Sequence, residues 1–374
     1  MDGKILRGLK VLELGQMLAG PYAGSIFSDL GADVVKVERP EGDDCRRMGH
    51  AYLNNDSLSF QIFNRGKRSV VLDFGNTVEL DAFHVLAAEA DIVLNNLRPG
   101  VSEKFGVDAQ SMCARYPALI YCQISAFGQS GPMRMEPGFE PLVQAFSGLS
   151  STNGGPDDPP TRVGSSICDQ GTGMWAVIGA LSLLAQRART GIGGIVQLSL
   201  LETALAWNAQ KADSWVNEGM IPPRHRSGHP LLCPYEAFDA QDKPLLVCCG
   251  NDRLFARFAE VLGRPDWIAN PSYQTNRMRL THKDALLAEV RPILASMPRD
   301  TWLARLKQAG VPCCEIHAVA EAVEHEQVKA LGLMQEVADT GMVLTGLPMS
   351  INGQRPSLDK AAPALQRQVN EAAW

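Results

Sequence analysis

One carboxylate stands at the start of a helix that is otherwise apolar. The stretch GSSICDQGTGMWAVIGALSLLAQ (164–186) has no charged residue from Met174 to Ala185, whereas Cys168 and Asp169 lie in its first turns. Asp is a preferred residue at helix N-termini, so a purely structural cap is one interpretation. The other is chemical: backbone amides and the helix dipole would hold the carboxylate ionised, and an ionised, partly desolvated carboxylate can act as a nucleophile. The two interpretations are compatible.

The rest of the chain carries little that predicts chemistry. It contains no G-x-S-x-G, no G-x-x-x-x-G-K-[ST], no H-E-x-x-H and no C-x-x-C. The nine cysteines are odd in number and scattered, which favours reduced thiols over a disulfide framework. The segment CCEIH (313–317) has no second cluster of ligands, so we expect packing rather than a metal site there. Asp169 therefore stands out by elimination.

Composition narrows the class of protein. The 374 residues are 45% hydrophobic and 20% charged, and the net charge of −6 comes without any run of Lys or Arg. Nothing here would attract nucleic acid or an anionic membrane. The longest apolar run is about a dozen residues, below the ~20 that a membrane span needs, and MDGKILRGLK (1–10) has no signal core. We expect a soluble cytoplasmic protein, no membrane, and small-molecule partners or further copies of the chain.

Apolar runs alternate with helical patterns in the first half of the chain. LKVLEL (9–14), a helical stretch and DVVKVE (33–38) predict a βαβ unit, and three further strands follow at RSVVLDF (68–74), DIVLNN (91–96) and ALIYCQISAFG (118–128). This alternation predicts an α/β fold with a Rossmann-like, doubly wound, mostly parallel sheet.

The pattern changes near residue 222. PPRHRSGHP (222–230) predicts a linker, YEAFDAQDKPLLVCCG (235–250) a hairpin, and Asn251 and Gly263 the start and end of an amphipathic helix. The tail from Met334 predicts further strands. We predict three parts along the chain: a large Rossmann-like domain (1–221), a smaller α+β domain (222–320) and a C-terminal segment that returns to the large domain (321–374).

Ligands of open parallel sheets bind beyond the carboxyl ends of the strands. The glycines of the first βα turn, Gly15, Gly20 and Gly24, miss the G-x-G-x-x-G spacing, so we expect neither a nicotinamide nor a flavin cofactor. Arg39 follows the second strand, where dinucleotide enzymes read a ribose or its phosphate. It indicates a phosphorylated adenosine, and a solvated surface arginine is the other interpretation.

Several blocks, taken together and in order, resemble the class III CoA-transferases, the CaiB/BaiF family. They are GLKVLELGQMLAGPYAGSIFSDLGADVVKVERPEGD, NRGKRSVVLDF, LRPGVSEKFGVD, SAFGQSGP, RVGSSICDQGTGMWAVIGALSLL, HPLLCPYEAFDAQD and GNDRLFARFAEVLG. The resemblance implies an interlocked homodimer, in which two subunits pass through each other as rings. It also implies acyl-CoA:carboxylate CoA transfer with Asp169 as the nucleophile, through an aspartyl anhydride and an aspartyl-CoA thioester. Coenzyme A would be a substrate, with no metal.

The resemblance also implies positions for the CoA. Contacts with the adenine and phosphates fall on six residues: Arg39, Leu72, Asn96, Leu97, Lys104 and Phe105. Contacts with the pantetheine arm fall on four: Gln16, Met17, Leu18 and Ala19. Small residues around the nucleophile would leave space for the thioester and supply backbone N–H groups, unless they serve only tight turns: Gly164, Ser165, Ser166, Gly171 and Gly173.

Departures from the family pattern leave alternatives open. The related α-methylacyl-CoA racemases use a His base in a G-H-D motif, and here the segment is Gly138, Phe139 and Glu140, which disfavours racemisation. Glu140 would orient the acceptor, shield the intermediate or form a structural ion pair. Leu18, where the formyl-CoA enzymes have Gln, favours a larger or less polar acyl group. A racemase or epimerase, or a CoA-binding protein without turnover, remain the alternative functions.

Overall fold

The computed structural model describes residues 3–221, 223–365 and 374. The described chain divides into two compact units, the first formed by residues 3–150, 162–209, 326–365 and 374 and the second by 151–161, 210–221 and 223–325. These bounds differ from the predicted ones, because the second unit begins at residue 210 and also takes a short earlier segment. PALQRQ (363–368) lacks the histidine that the CaiB/BaiF pattern usually has near the carboxyl end, and its residues 366–368 lie outside the described residues.

The strands are numbered in chain order. They are β1 (Lys10–Leu14), β2 (Asp33–Glu38), β3 (Ala51–Leu53), β4 (Asp56–Ser57), β5 (Arg68–Val71), β6 (Ile92–Asn95), β7 (Ile120–Ser125), β8 (Gly194–Ser199), β9 (Tyr235–Asp239), β10 (Pro244–Cys248), β11 (Cys313–Glu315), β12 (Met334–Glu336) and β13 (Val343–Thr345).

The α-helices are numbered in the same way. They are α1 (Ala19–Asp29), α2 (Leu58–Asn64), α3 (Thr77–Glu89), α4 (Val101–Lys104), α5 (Ala109–Arg115), α6 (Glu140–Phe146), α7 (Ile167–Thr190), α8 (Leu200–Trp207), α9 (Ala209–Glu218), α10 (Asp252–Val261), α11 (Asp266–Ala269), α12 (Asn276–Thr281), α13 (Lys283–Leu294), α14 (Arg299–Gln308), α15 (Val319–Glu324) and α16 (Glu326–Ala330).

A six-stranded parallel sheet forms the centre of the first unit, which confirms the predicted α/β architecture. Its strand order is β5-β2-β1-β6-β7-β8, with every neighbouring pair parallel. Numbered within the sheet, this is the Rossmann order 3-2-1-4-5-6, and the order reverses between β1 and β6. The carboxyl ends of β1 and β6 diverge there, which makes this edge the expected position of a ligand.

Helix α7 packs into the core of the first unit through residues without bulky side chains. A methyl group at Gly173 would lie 2.8 Å from the carbonyl oxygen of Ala19 in α1, and one at Gly179 would lie 2.5 Å from Val196 in β8. By length and composition, α7 is the one helix of the described chain that could cross a membrane, and a buried core helix meets the same criteria.

The second unit contains the antiparallel sheet β11-β10-β9, with the hairpin β9–β10 where the sequence predicts it. Helix α10 confirms its predicted signals: the Asn251 side chain accepts a hydrogen bond from the Leu254 N–H at 2.9 Å, and Gly263 follows the helix with φ of 73°. The apolar face of α10 packs into a core of its own that includes Phe255 and Phe258, both buried.

Candidate active site

Asp169 is the third residue of α7 and does not cap it. The N-cap is Ser166, whose side chain makes no capping hydrogen bond. The Asp169 side chain is partly buried, and among the described residues its carboxylate has no hydrogen-bond partner. The interpretation of Asp169 as a structural cap is therefore wrong, since its oxygens are not used by the backbone of its own helix.

Glu140, rather than Asp169, supplies the carboxylate that binds the start of α7. It begins α6, is only 4% exposed, and its Oε1 accepts a hydrogen bond from the Cys168 N–H of α7 at 3.4 Å. The same oxygen accepts one from Gln144 Nε2 at 2.6 Å. Its other oxygen, Oε2, is buried without a hydrogen bond and lies 3.9 Å from the Arg162 guanidinium. A loose ion pair thus exists, but it engages only one oxygen.

Gln144 is a residue that sequence reasoning missed. Its side chain is fully buried and bridges Glu140 to the segment that precedes α7. Besides the bond to Glu140, its Nε2 donates to the Val163 carbonyl at 3.2 Å, and its Oε1 accepts from the Val163 N–H at 2.8 Å. These hydrogen bonds of Gln144 hold Glu140 in a fixed position beside Asp169. The sequence signal for this contact is a spacing: Gln144 follows Glu140 by one helical turn, and this spacing places the two side chains on one face of the helix.

The pKa of Asp169 lies far above that of an ordinary aspartate. Burial is the main cause, and the charge of Glu140 adds to it, so the pKa rises from 3.8 to about 7. The expectation that the helix end keeps Asp169 fully ionised is therefore wrong near neutral pH. A carboxylate with this pKa is more basic than usual, which suits attack on a carbonyl carbon.

This pKa predicts a pH-dependent gain in stability for Asp169→Asn. Between pH 4 and 7 the folded protein keeps a proton that the unfolded chain has released, so wild-type stability falls as the pH rises. Asn does not ionise, and the variant should gain about 2 kcal/mol relative to wild type between pH 5 and pH 8. Urea unfolding at both pH values measures this difference in the free energy of unfolding. A difference that does not change with pH would contradict the buried position of this carboxyl.

Glycines near Asp169 serve close packing rather than tight turns. A methyl group at Gly171 would lie 2.8 Å from Thr203 and Trp207, and Gly173 meets α1 as described above. Both glycines are within α7, so the alternative of tight turns is wrong for them. Gly164 has no neighbour within 4 Å of an added methyl group, which leaves space beside the start of the helix.

The predicted pantetheine contacts lie in the turn between β1 and α1, at the edge where the sheet order reverses. The Gln16 N–H donates to Asn96 Oδ1 at 2.7 Å, and Asn96 Nδ2 donates to the Gln16 carbonyl at 2.8 Å. This reciprocal pair joins the turn to the carboxyl end of β6. Leu18 is the N-cap of α1 and Ala19, which is buried, is its first residue.

Three of the six predicted adenine and phosphate contacts, Leu72, Leu97 and Phe105, belong to one apolar cluster. Leu72 is buried in it, and Leu97 and Phe105 pack against it while partly exposed. The Lys104 ammonium lies 5.0 Å from the centre of the Phe105 ring. These residues follow β5 and β6, which lie on either side of β2 and β1 in the sheet. The structure thus places them along one edge.

Arg39 follows β2 at the same edge, and its side chain is partly hydrogen-bonded. Its Nε donates to the Gly42 carbonyl at 3.1 Å and its Nη2 to Asp44 Oδ1 at 2.7 Å. The side chain is 43% exposed. Arg39 is therefore a surface arginine whose guanidinium is held by Gly42 and Asp44, and its role toward a phosphorylated ligand stays a prediction.

A pocket of the first unit lies beside the carboxyl ends of β7 and β8. It has a volume of about 310 Å³ and is lined by Phe127, Gly128, Gln129, Ser130, Gln197, Leu198 and Glu202. None of the ten predicted CoA contacts, nor Asp169 or Glu140, lines it. Among the described residues, no group of His, Cys, Asp or Glu has the arrangement of a metal site.

A family model and named relatives match this chain over nearly its whole length. The sequence model of CoA-transferase family III matches residues 6–369. The acetyl-CoA:oxalate CoA-transferase of Acetobacter aceti is 36% identical over 371 residues, which are 96% of this chain and 95% of that protein. The succinate–glutarate CoA-transferase of Agrobacterium fabrum is 34% identical over 354 residues, 91% and 88% of the two chains.

A solved structure gives the same result for the fold. The crystal structure of a CaiB/BaiF family protein from Brucella suis has a TM-score of 0.86 and 35% identity, and the match covers 96% of each chain. With a parallel sheet of Rossmann order and a family match over nearly the whole length, this chain belongs to CoA-transferase family III and is an enzyme that transfers CoA.

Proposed function

We propose that this enzyme is an acyl-CoA:carboxylate CoA-transferase that works through covalent intermediates on Asp169. The observation that carries the proposal is the state of this side chain: partly buried, without a hydrogen-bond partner among the described residues, and with a pKa of about 7. Such a carboxylate is both accessible and basic enough to attack a thioester.

The proposed reaction has four acyl exchanges. The Asp169 carboxylate attacks the thioester carbonyl of the donor, the C–S bond breaks, and an aspartyl anhydride forms with release of the CoA thiolate. The thiolate attacks the aspartyl carbonyl, which releases the donor acid and forms aspartyl-CoA. The acceptor carboxylate then attacks this thioester to give a second anhydride and free thiolate. The thiolate finally attacks the acceptor carbonyl, which yields the new acyl-CoA and restores Asp169.

Glu140 supports this chemistry from a fixed position. The negative charge of Glu140 repels that of Asp169 and so raises the pKa of the nucleophile. Glu140 Oε1 accepts the hydrogen bond of the Cys168 N–H. Its Oε2 accepts no hydrogen bond and lies 3.9 Å from the Arg162 guanidinium, which supports a role beyond a structural ion pair. Phe139, 57% exposed, stands where a racemase would have its base and transfers no proton.

The CoA is proposed to lie along the edge formed by the carboxyl ends of β5, β2, β1 and β6. Arg39 and Lys104 would bind the phosphates as charged donors, and Leu97 and Phe105 would hold the adenine. The turn that begins at Gln16 would receive the pantetheine arm. Each of these residues follows one of the four strands, so a single extended ligand can reach them all.

A second copy of the chain is proposed to cover an apolar surface at the active-site helix. Met174, Trp175 and Ile178 of α7 are 45%, 39% and 50% exposed, and Trp207 of α8 lies with its ring centre 6.2 Å from that of Trp175. A patch of this kind on a soluble protein marks an interface. An interlocked homodimer, as the resemblance implies, would bury it.

Oligomeric mass tests the proposed dimer. Light scattering after size-exclusion chromatography should give twice the mass of one chain for the wild type, and monomer or aggregate for Ile178→Glu, because the charge would be buried at the interface. Val85→Glu is the matched control, since Val85 of α3 is 62% exposed and apart from this patch. A monomeric wild type would contradict the dimer.

The covalent intermediate provides the test of function. The enzyme is incubated with acetyl-CoA, succinyl-CoA and longer acyl-CoAs, then digested, and the peptide that contains Asp169 is examined by mass spectrometry for bound CoA. We expect the adduct with at least one donor, and its loss on adding an acceptor such as oxalate or glutarate. If no donor leaves CoA on Asp169, while deuterium enters Cα of a branched acyl-CoA, the enzyme is a racemase instead.

A further inference from the structure

The turn between β1 and α1 is held in a strained conformation. Met17 has φ of 62°, in the left-handed region that residues with a side chain rarely adopt. Such a conformation persists only where the surrounding structure enforces it, and it is typical of ligand-binding turns. It is enforced here by side chains that come from other parts of the chain.

Three of these side chains hold successive residues of the turn. Lys36 Nζ donates to the Gly15 carbonyl at 2.6 Å, and Asn96 bonds both backbone groups of Gln16. The Met17 N–H donates to both carboxylate oxygens of Asp43, at 3.1 and 3.2 Å. Every residue from 15 to 17 thus has a backbone group bound by a side chain from another part of the chain.

The charges beneath the turn form one buried network. Lys36 Nζ lies 3.0 Å from Glu13 Oε1 and 2.9 Å from Asp43 Oδ2, and none of the three side chains is exposed to solvent. Glu13 Oε2 lies 2.6 Å from Lys67 Nζ. Burial opposes the charge of Lys36, but Glu13 and Asp43 outweigh it and keep the pKa of Lys36 above its ordinary value. Lys36 and Asp43 are therefore charged and fixed.

We propose that Asp43 is a positioning residue for CoA, which acts by holding the backbone on either side of Gln16, at Gly15 and Met17, in the shape that receives the ligand. Asp43 binds Met17 directly and binds Gly15 through Lys36, so one carboxylate controls both sides of the turn. This role presupposes the proposed function, because it concerns the turn assigned to the pantetheine arm. Asp43 itself need not touch the ligand.

Two variants separate positioning from stability. Asp43→Asn keeps the shape of the side chain but removes the charge that faces Lys36. Asp29→Asn is the matched control: Asp29 is 4% exposed and its carboxylate pairs with Arg65 at 2.6 Å, away from the turn. Both should lose stability, whereas only Asp43→Asn should weaken CoA binding, by about tenfold for the loss of a charged hydrogen bond.

A second pair tests the turn without disturbing the buried charges. Met17→Gly and Met17→Pro both remove the methionine side chain. Gly adopts a positive φ freely, whereas Pro cannot adopt a positive φ and has no N–H. We expect the Pro variant to bind CoA at least about tenfold more weakly than the Gly variant. This comparison remains informative even if Asp43→Asn does not fold.

The measurements are the dissociation constant of CoA by calorimetry, KM and kcat with the best acyl-CoA, and urea unfolding. Asp43→Asn should raise Kd and KM with kcat changed less than about threefold, since ground-state binding alone is affected. Wild-type affinity for CoA in Asp43→Asn, or equal affinities of the Gly and Pro variants, overturns the role of Asp43. Failure of the wild type to bind CoA overturns the proposed function.

Discussion

Asp169→Asn should lower CoA transfer by about 10⁴-fold or more while the protein remains folded. The amide has the shape of the carboxylate but cannot open a thioester, and removal of a covalent nucleophile costs this much in other enzymes. The variant should still bind CoA, because Asp169 is not among the proposed CoA contacts. Steady-state kinetics with the donor identified by the adduct experiment, and calorimetry with CoA, measure the two effects separately.

Asp108→Asn is the matched control for this prediction. Asp108 is a carboxylate of the same unit whose Oδ1 accepts the Gln110 and Ser111 N–H groups at 3.0 and 3.1 Å, as the N-cap of α5. Its substitution should cost stability and leave kcat within about twofold. If Asp169→Asn retained a tenth of the wild-type rate, or still acquired CoA on this peptide, another residue would be the nucleophile.

Glu140→Gln should have the second largest effect and a distinct signature in the pH profile. Loss of the charge beside Asp169 lowers the pKa of the nucleophile, so the rise in rate with pH should occur below the wild-type midpoint of about 7. The rate at high pH should fall by about tenfold, because a less basic carboxylate is a poorer nucleophile. Single-turnover rates of adduct formation between pH 5 and 9 measure both quantities.

A structural role for Glu140 would give another result. If Glu140 only held the start of α7, Glu140→Gln would lower the melting temperature and leave the midpoint of the pH profile unchanged. The Asp108→Asn variant controls for stability here too, and its midpoint should equal that of the wild type. A shift to higher pH in Glu140→Gln would contradict the repulsion between the two carboxylates.

The sequence predicts the regular elements well because their signals are local. The apolar runs give β1, β2, β6 and β7 within a few residues, and Asn251 and Gly263 mark the ends of α10. What local patterns cannot supply are partners far along the chain. The preference of Asp for helix N-termini made a cap at Asp169 one interpretation, whereas the residue that binds this helix end is Glu140, 28 positions before Cys168.

The buried ion pairs around Lys36 were not predicted, although the sequence contains a signal for them. Glu13 and Lys36 interrupt two apolar runs that become neighbouring parallel strands, and they are directly paired in the register. Opposite charges inside two buried strands of one βαβ unit therefore indicate an internal ion pair. The position of the Glu13 carboxylate also explains why residue 24 is a glycine, because a methyl group there would lie 1.9 Å from that carboxylate. The family resemblance named the turn but not what holds it.

The contacts of α7 restrict how this enzyme can be re-engineered for new acyl groups. Methyl groups at Gly171, Gly173 and Gly179 would collide with α8, α1 and β8 respectively, so the helix packs tightly against three separate elements. Enlarging any of these glycines would displace the backbone that carries Asp169. Mutant libraries that seek altered selectivity should leave this helix untouched and diversify the segment before it, where Gly164 has free space.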